Sequence, residues 1–553
     1  MYLVGFFALF TLWYFSSLPR NYFLARKTGL PIIICPVNPV NIFWLVVSVP
    51  LEPTFARYLP SFIYEQLKVG IYGWEFRFRY TVNAKLGPAF VVVTPARNEV
   101  WIADPEMAYT VLMRRNDFPQ LEISTKIFSI FGANLSSSNG SEWQRHRKIV
   151  APVFNERIMN SVWDESSTQA RDMLEAIFKT PAKPKANLAV ERESNGIVDG
   201  VRTIALNVFG FIVYGDRQSF AHSSTEAEAP PGYQLTFMES IFSILNNHFI
   251  SIFVPAHILT ISWMPRSIQK MGIATAEFPK HTKDFITKER NSPSTQNTLL
   301  SVMVKTADNE RHQSAKPGRL ASYLSEDEIT GNLFNFTLAG FDTTSNTMAY
   351  ALITLAIEPK WQDWIAEEID RVARLHPDAS YDNTFPLLTR CLALMYETLR
   401  IYTPALHIPR CTAAPQTSPV FIPAKTTVHL ALACMHVSPT LYGPDPLAFR
   451  PTRWIAAPSP ESASETLINP PRGTFMPFSS GPRSCPGSKM AQVEFVGVIR
   501  EIFASWRVEA AQKPGETAAM ARERLEKVVE NSQPKITLQV KNPRGVLLKW
   551  VRR

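Results

Sequence analysis

A chain of 553 residues in which 46% are apolar and 19% charged carries enough hydrophobic side chain for a large buried core, which excludes a disordered polyelectrolyte. Its formal charge of +9 calls for an acidic protein partner, an acidic lipid surface or nucleic acid; no basic run is interleaved with aromatics, so nucleic acid is the least supported. Five scattered cysteines, Cys35, Cys391, Cys411, Cys434 and Cys485, argue against a disulfide framework and for a reducing compartment.

In chain order, Tyr2 to Leu18 contains no charged residue, and Arg20, Arg26 and Lys27 follow it. A spanning helix needs about 20 apolar residues, with about 17 the lower bound, and a cleavable signal would place its basic residues first. Residues 1–19 therefore read as an uncleaved single-pass anchor, with the positive flank holding the rest of the chain in the cytosol. Leu30 to Leu51 is apolar but interrupted by Pro31, Pro36, Pro39 and Pro50. Within the flank 20–54 it predicts an interfacial segment, with a hairpin anchor as the alternative.

From residue 55 the pattern is mostly helical, with strand-like runs such as Ala89 to Thr94 and polar loops near 180–196, 221–232 and 306–322. No repeat and no independent motif separates these parts, so 55–553 reads as one domain, mainly α with smaller β-sheets.

Ser325 to Ile357 opens with a capping-box pair, Ser325 and Glu328, and stops before Pro359, which predicts one long helix. Its middle, Ala339-Gly340-Phe341-Asp342-Thr343-Thr344, puts a glycine, an acid and two hydroxyls where a buried helix ordinarily tolerates none, unless the hydroxyls merely bond back to the preceding turn. Glu397 and Arg400 share one helix face at i,i+3 among apolar neighbours; such a pair points inward and needs further partners to offset its desolvation. Finally, Phe478-Ser-Ser-Gly481-Pro-Arg483-Ser-Cys485-Pro-Gly487 forms a Gly- and Pro-rich loop running into an apolar helical segment from Met490. Such a loop holds one thiolate rigidly, with amide N–H groups and the Arg483 charge favouring the anion.

The loop and the helix together resemble the cytochrome P450 family, whose cysteine loop has Phe, Gly, Arg, Cys and Gly at these spacings. The resemblance covers nearly the whole chain and looks most like fungal microsomal members of specialised metabolism. It implies the cytochrome P450 fold with one N-terminal transmembrane helix in the endoplasmic reticulum membrane, and haem b held by Cys485 as axial iron ligand. It implies dioxygen activation beside Gly340, with Asp342 and Thr343 delivering protons and Thr344 a weaker candidate. Trp143 and Arg147, one helical turn apart, match the family's haem-propionate ligands, with Arg410 and Arg483 as the other donors. Arg453 falls where the family completes a structural Glu397–Arg400–Arg453 cluster; Thr452 departs from the acid common beside it.

No G-x-G-x-x-G between a strand and a helix and no P-loop is present, so electrons from NADPH would arrive through a separate reductase, with cytochrome b5 as a further donor. Arg145, Lys148 and Lys489 are its expected contacts. His429 and His436 belong to no metal-type cluster and read as structural. Phe249 to Val254 with Trp263 to Pro265 lies where the family has a mobile lid, which suits a lipophilic terpenoid, steroid or polyketide skeleton carried by the membrane. Glu509 to Gln533 reads as a loop insertion or a helix between terminal strands. Two rivals remain. Asp342 and Thr343 argue against a haem-thiolate enzyme that rearranges or dehydrates its substrate without external dioxygen; an oxygen-activating helix and an anchor would be needless in a non-catalytic haem sensor.

Overall fold

The computed structural model describes residues 14–179, 191–220, 229–246, 254–292, 298–314, 323–418, 420–456 and 465–553. At its centre runs the 32-residue helix Glu326–Ile357, buried along most of its length. Its start is set locally: the Ser325 hydroxyl accepts from the Glu328 amide and the Glu328 carboxylate accepts from the Ser325 amide, satisfying two amides that a helix end leaves unpaired. Against it pack Ile197–Tyr214, Thr389–Ile401 and Ser488–Phe503; Glu156–Lys179 packs on the last of these.

Among the described residues Ile197–Tyr214 is the one helix long and apolar enough to cross a bilayer, and it is mostly buried inside this bundle. Its apolarity is that of a core helix.

Beside the bundle lies a five-stranded mixed sheet in the order Ile32–Ile34, Ala89–Val93, Asn98–Ile102, Thr427–Leu430, Ile408–Cys411. Ala89–Val93 is buried on both faces, hence its unbroken apolar run. A three-stranded sheet joins Glu191–Ser194, Leu548–Arg552 and Trp506–Ala510, and a hairpin pairs Ser532–Pro534 with Leu538–Val540. The mainly α architecture with small sheets is as expected.

Several boundaries differ from the sequence reading. The division at 55 does not hold: Ile32–Ile34 pairs in parallel with Val91–Val93, Cys35 and Ala25 are buried in the core of the sheet, and Asn21 donates to Thr94 O at 2.9 Å. Long-range pairing, invisible in a proline-rich stretch, makes this flank part of the domain. Ile42–Tyr58 is a continuous helix despite Pro50 and Pro53. It lies on the surface, with Phe43 and Val46 at 74% and 68% exposure. The stretch 306–314 is helical, within Leu299–Ser314, and Glu509 to Gln533 contains the helix Ala518–Glu530 between strands, capped by Thr517. Residues 1–13 of the expected anchor, 249–253 of the expected entrance, and the loop stretches 180–190, 221–228 and 315–322 lie outside the described residues.

Candidate haem and oxygen site

A cavity of ≈ 320 Å³ separates the long helix from the cysteine loop. It is roomy enough for a bulky ligand, since one water needs only about 10–15 Å³. From the helix, Ala339, Gly340, Thr343, Thr344 and Thr347 line it; from the loop, Phe478, Arg483, Cys485 and Gly487 do. Cys485 is open to solvent-sized space yet surrounded by protein, because that space is this cavity.

The loop is shaped by its own backbone. Gly481 has φ +68°, a left-handed conformation that spares a Cβ, and Ser479 adopts φ +61° without that freedom. The Cys485 amide donates to Phe478 O at 2.9 Å, closing the loop. Gly487 has an ordinary φ of −88°; its amide is what serves the sulfur. Burial pushes the Cys485 thiol up, and the Gly487 amide and the Arg147 charge pull it back. From behind, neutral His436 accepts the Met476 amide at 3.1 Å; burial, with Arg400 nearby, holds its pKa down to about 3. His429 stacks on Trp101 at 4.3 Å beside Glu99. Both histidines stand in packed interiors.

Trp143, Arg147 and Arg483 line this cavity, whereas Arg410 is buried behind Gln120, which lines it. Arg147 donates to Ser484 O at 2.8 Å, bracing the loop. Arg410 donates to Gln120 Oε1 at 2.8 Å, and Arg483 to Ser138 O at 2.8 Å and Asn139 Oδ1 at 3.0 Å. Among the described residues none of these three arginines meets a carboxylate, and Arg483 Nε is buried with no partner. Burial, with Arg410 and Arg115 near, pushes Arg483 down to about 9, and burial pushes Arg410 down to about 10. A guanidinium keeps its proton in proteins, so the strain is relieved by an anion. A flat dianion lying against one thiolate is what this donor set fits, and haem with its two propionates is such a group. Arg115, which nothing in the sequence singled out, stands beside this set. Its guanidinium lies 4.7 Å from the Trp143 ring, with Arg483 at 4.8 Å, and nothing local to Arg115 announces this.

Asp342 and Thr343 are not brought to the same side. Thr343 lines the cavity, its hydroxyl bonded back to Ala339 O at 2.7 Å. Asp342 is buried and turned elsewhere, accepting the Thr537 hydroxyl on one oxygen, with Arg202 3.8 Å from the other. Gly340 lines the cavity, and Phe209 packs so closely on it that an added Cβ would stand 2.7 Å from that ring.

Glu397, Arg400 and Arg453 do meet, all behind the loop. Arg400 grips Glu397 through two bonds of 2.9 and 2.8 Å, Arg453 adds one at 3.2 Å, and the Trp454 indole one at 2.9 Å. Arg145, expected on a docking surface, is half-buried in an ion-pair network with Glu142 and Glu328. Lys148 is exposed, whereas Lys489 rests 4.5 Å from the Phe385 ring.

A single cysteine facing a roomy cavity under a helix that carries buried polar groups is the arrangement of a haem-thiolate class of site. The cytochrome P450 sequence profile matches residues 64–537, and the chain belongs to the cytochrome P450 family. It is 30% identical, over 92% of each chain, to the phomenoic acid biosynthesis cluster cytochrome P450 monooxygenase of Leptosphaeria maculans. It is 27% identical to cytochrome P450 monooxygenase prx9 of Penicillium rubens over 88% of this chain and 87% of that one, and 24% identical to the ganoderic acid synthetase CYP5150L8 of Ganoderma lucidum over 92% and 98%. The protein is therefore a monooxygenase, and its family implies haem with a cysteine thiolate, dioxygen, a small-molecule substrate and a reductase partner.

Proposed function

We propose that this monooxygenase inserts one oxygen atom from dioxygen into a lipophilic small molecule of fungal specialised metabolism, working on the cytosolic face of the endoplasmic reticulum membrane. The observation that carries the reading is the apposition of Cys485 and Thr343 across one largely apolar cavity. Phe154, Phe209, Phe336, Met395 and Ile408 complete its walls, which suits an apolar substrate oriented by few polar contacts. The biosynthetic role is supported by the names of the Leptosphaeria and Ganoderma relatives.

Cys485 would hold the iron, Arg147, Arg410 and Arg483 with Trp143 would hold the propionates, and the Glu397–Arg400–Arg453 cluster would fix the loop from behind. When bound, the haem supplies the electron transfer and dioxygen activation that no side chain here provides. The chain orients the substrate, keeps bulk water out, and moves protons: the Thr343 hydroxyl is the proton donor facing the cavity, and Asp342 is the acid that resupplies it. Electrons would come from NADPH through the reductase, with cytochrome b5 as an auxiliary donor. Lys148 and Lys489 are the docking charges left once Arg145 is paired internally, and electron transfer insensitive to salt would refute that docking.

Attachment to the membrane is supported by Ile42, Phe43, Val46, Tyr58 and Phe62, all more than half exposed, and by Trp263 at 74%. Exposed apolar side chains of this kind, several on one helix, suit insertion into a lipid surface. The Ser17 hydroxyl donates to Pro95 O of the domain and Leu18–Arg26 is a helix beside it, so residues 17–19 of the expected anchor belong with the domain.

The test is the absorption spectrum of the reduced, carbon-monoxide-bound protein, for wild type and Cys485→Ser, followed by reductase-dependent oxygen uptake. A strongly red-shifted Soret band lost in the variant is expected. A band that survives the substitution would overturn the ligand assignment.

A further inference from the structure

The helix Glu326–Ile357 presents a second polar edge, Asp342, Asn346 and Tyr350, each one turn further on and all buried. Each meets the C-terminal hairpin Ser532–Val540: Tyr350 donates to Ser532 Oγ at 2.8 Å, Asn346 Nδ2 donates to Thr537 Oγ1 at 3.0 Å, and Thr537 donates to Asp342 Oδ2. A hydroxyl has one proton. With the Asn346 amide donating to it, the Thr537 hydroxyl gives that proton to Asp342, so the direction of the chain of bonds is fixed and Asp342 is its acceptor.

The other carboxylate oxygen is held less firmly. Arg202 approaches it only to 3.8 Å, beyond hydrogen-bond length, and Arg202 Nε is buried without a partner. The hydrogen bond from Thr537 is therefore what sets the direction in which Asp342 points. That bond is mounted on the cavity wall: the next residue, Leu538, donates its amide to Pro404 O at 2.9 Å, and Pro404 lines the cavity.

We propose that Thr537 is a positioning residue for Asp342, its hydroxyl setting the orientation from which that carboxylate passes protons towards the Thr343 side of the helix. The proposal rests on the reading of Asp342 as the proton-supplying acid. Without the hydroxyl, Asp342 closes on Arg202, whose unpartnered Nε stands ready, and a carboxylate locked in a direct ion pair is a poorer proton carrier.

The experiment uses full-length, haem-loaded enzyme with reductase and NADPH and needs no substrate. Without substrate, dioxygen taking two electrons and two protons leaves as hydrogen peroxide, and with four of each it leaves as two waters; the peroxide fraction reports how promptly protons arrive. Thr537→Val is expected to raise that fraction at least threefold and to flatten its pH dependence, Thr537→Ser to restore both, and Thr537→Val to add nothing in an Asp342→Asn background. The independent readout is the infrared carboxylate band that disappears in Asp342→Asn, which should shift in Thr537→Val and return in Thr537→Ser. An unmoved band overturns the positioning itself. A shifted band with an unchanged peroxide fraction overturns the role, and places the failure in the assignment of Asp342 as the acid.

Discussion

Asp342 and Thr343 are neighbours in the chain and stand on different faces of one helix: the Thr343 hydroxyl borders the cavity, whereas the Asp342 carboxylate is buried against Thr537 and Arg202. Adjacent helical positions are about 100° apart around the axis, so one turn of backbone serves two compartments. The Asp342 carboxylate is sheltered from the cavity until its side chain swings or water bridges the two faces.

Thr343→Val tests the cavity side. The hydroxyl's bond in the structure runs back to its own helix at Ala339 O, so removing it costs under about 1 kcal/mol of stability, and haem content should be unchanged. Product formed per NADPH consumed should fall on the order of tenfold or more, with hydrogen peroxide making up the difference. Normal coupling in the variant would remove Thr343 from the proton path.

Glu397→Ala should abolish haem-loaded protein. The substitution strands Arg400, which is fully buried, and takes a partner from Arg453, Trp454 Nε1 and the Arg450 amide. Breaking a buried pair on one side costs about 3–5 kcal/mol, a large share of a total stability of about 5–15 kcal/mol. The check is the yield of soluble protein showing the red-shifted carbon-monoxide band; a wild-type yield would mean that the cluster tolerates the loss.

Arg410→Leu and Arg483→Leu should each release haem faster. A hydrogen bond to a charged group is worth about 1.5–3 kcal/mol, so transfer of haem to an excess of apomyoglobin should accelerate roughly tenfold to a hundredfold. Arg115→Leu should do the same to a smaller degree, since its contact is with the Trp143 ring that Arg483 also covers. Unchanged transfer rates in all three would mean that the uncompensated charge serves another anion.

What the sequence made legible was what is encoded locally. The capping box of Ser325 and Glu328 sits within one turn, and the cysteine loop carries its spacing within ten residues, so both could be read without a fold. Arg115 and Thr537 could not: one gains its role by meeting Trp143 and Arg483, the other by meeting Asp342 across 195 positions. The boundary placed at 55 failed for the same reason. Ile32–Ile34 is too short to show a period, and becomes a strand only because Val91–Val93 lies beside it. The prolines of Ile42–Tyr58 do not break it, since a helix on a surface survives two missing amide bonds at a cost that its packing through Trp44, which donates to Gly70 O at 2.6 Å, helps to offset.

Glu494 gives the clearest dependence on pH. It lies on the helix that follows the cysteine loop and lines the cavity; it is buried, and its Oε1 has no partner. Burial pushes its pKa up from the ordinary 4.5 to about 8, so at pH 7 it is a neutral acid. A carboxyl whose folded pKa lies above its unfolded value binds more protons when folded, so its contribution to stability is complete below about pH 4.5 and drains away as pH rises through about 8. Glu494→Gln keeps a neutral side chain of the same shape and has no such slope. The thermal midpoints of wild type and variant should therefore coincide near pH 5 and separate by pH 9, with the variant the more stable. A protonated-carboxyl infrared band, absent from the variant, should titrate with a midpoint near 8. Parallel stability curves from pH 5 to pH 9 would show that Glu494 is already ionised, and that a cation or water in the cavity satisfies it.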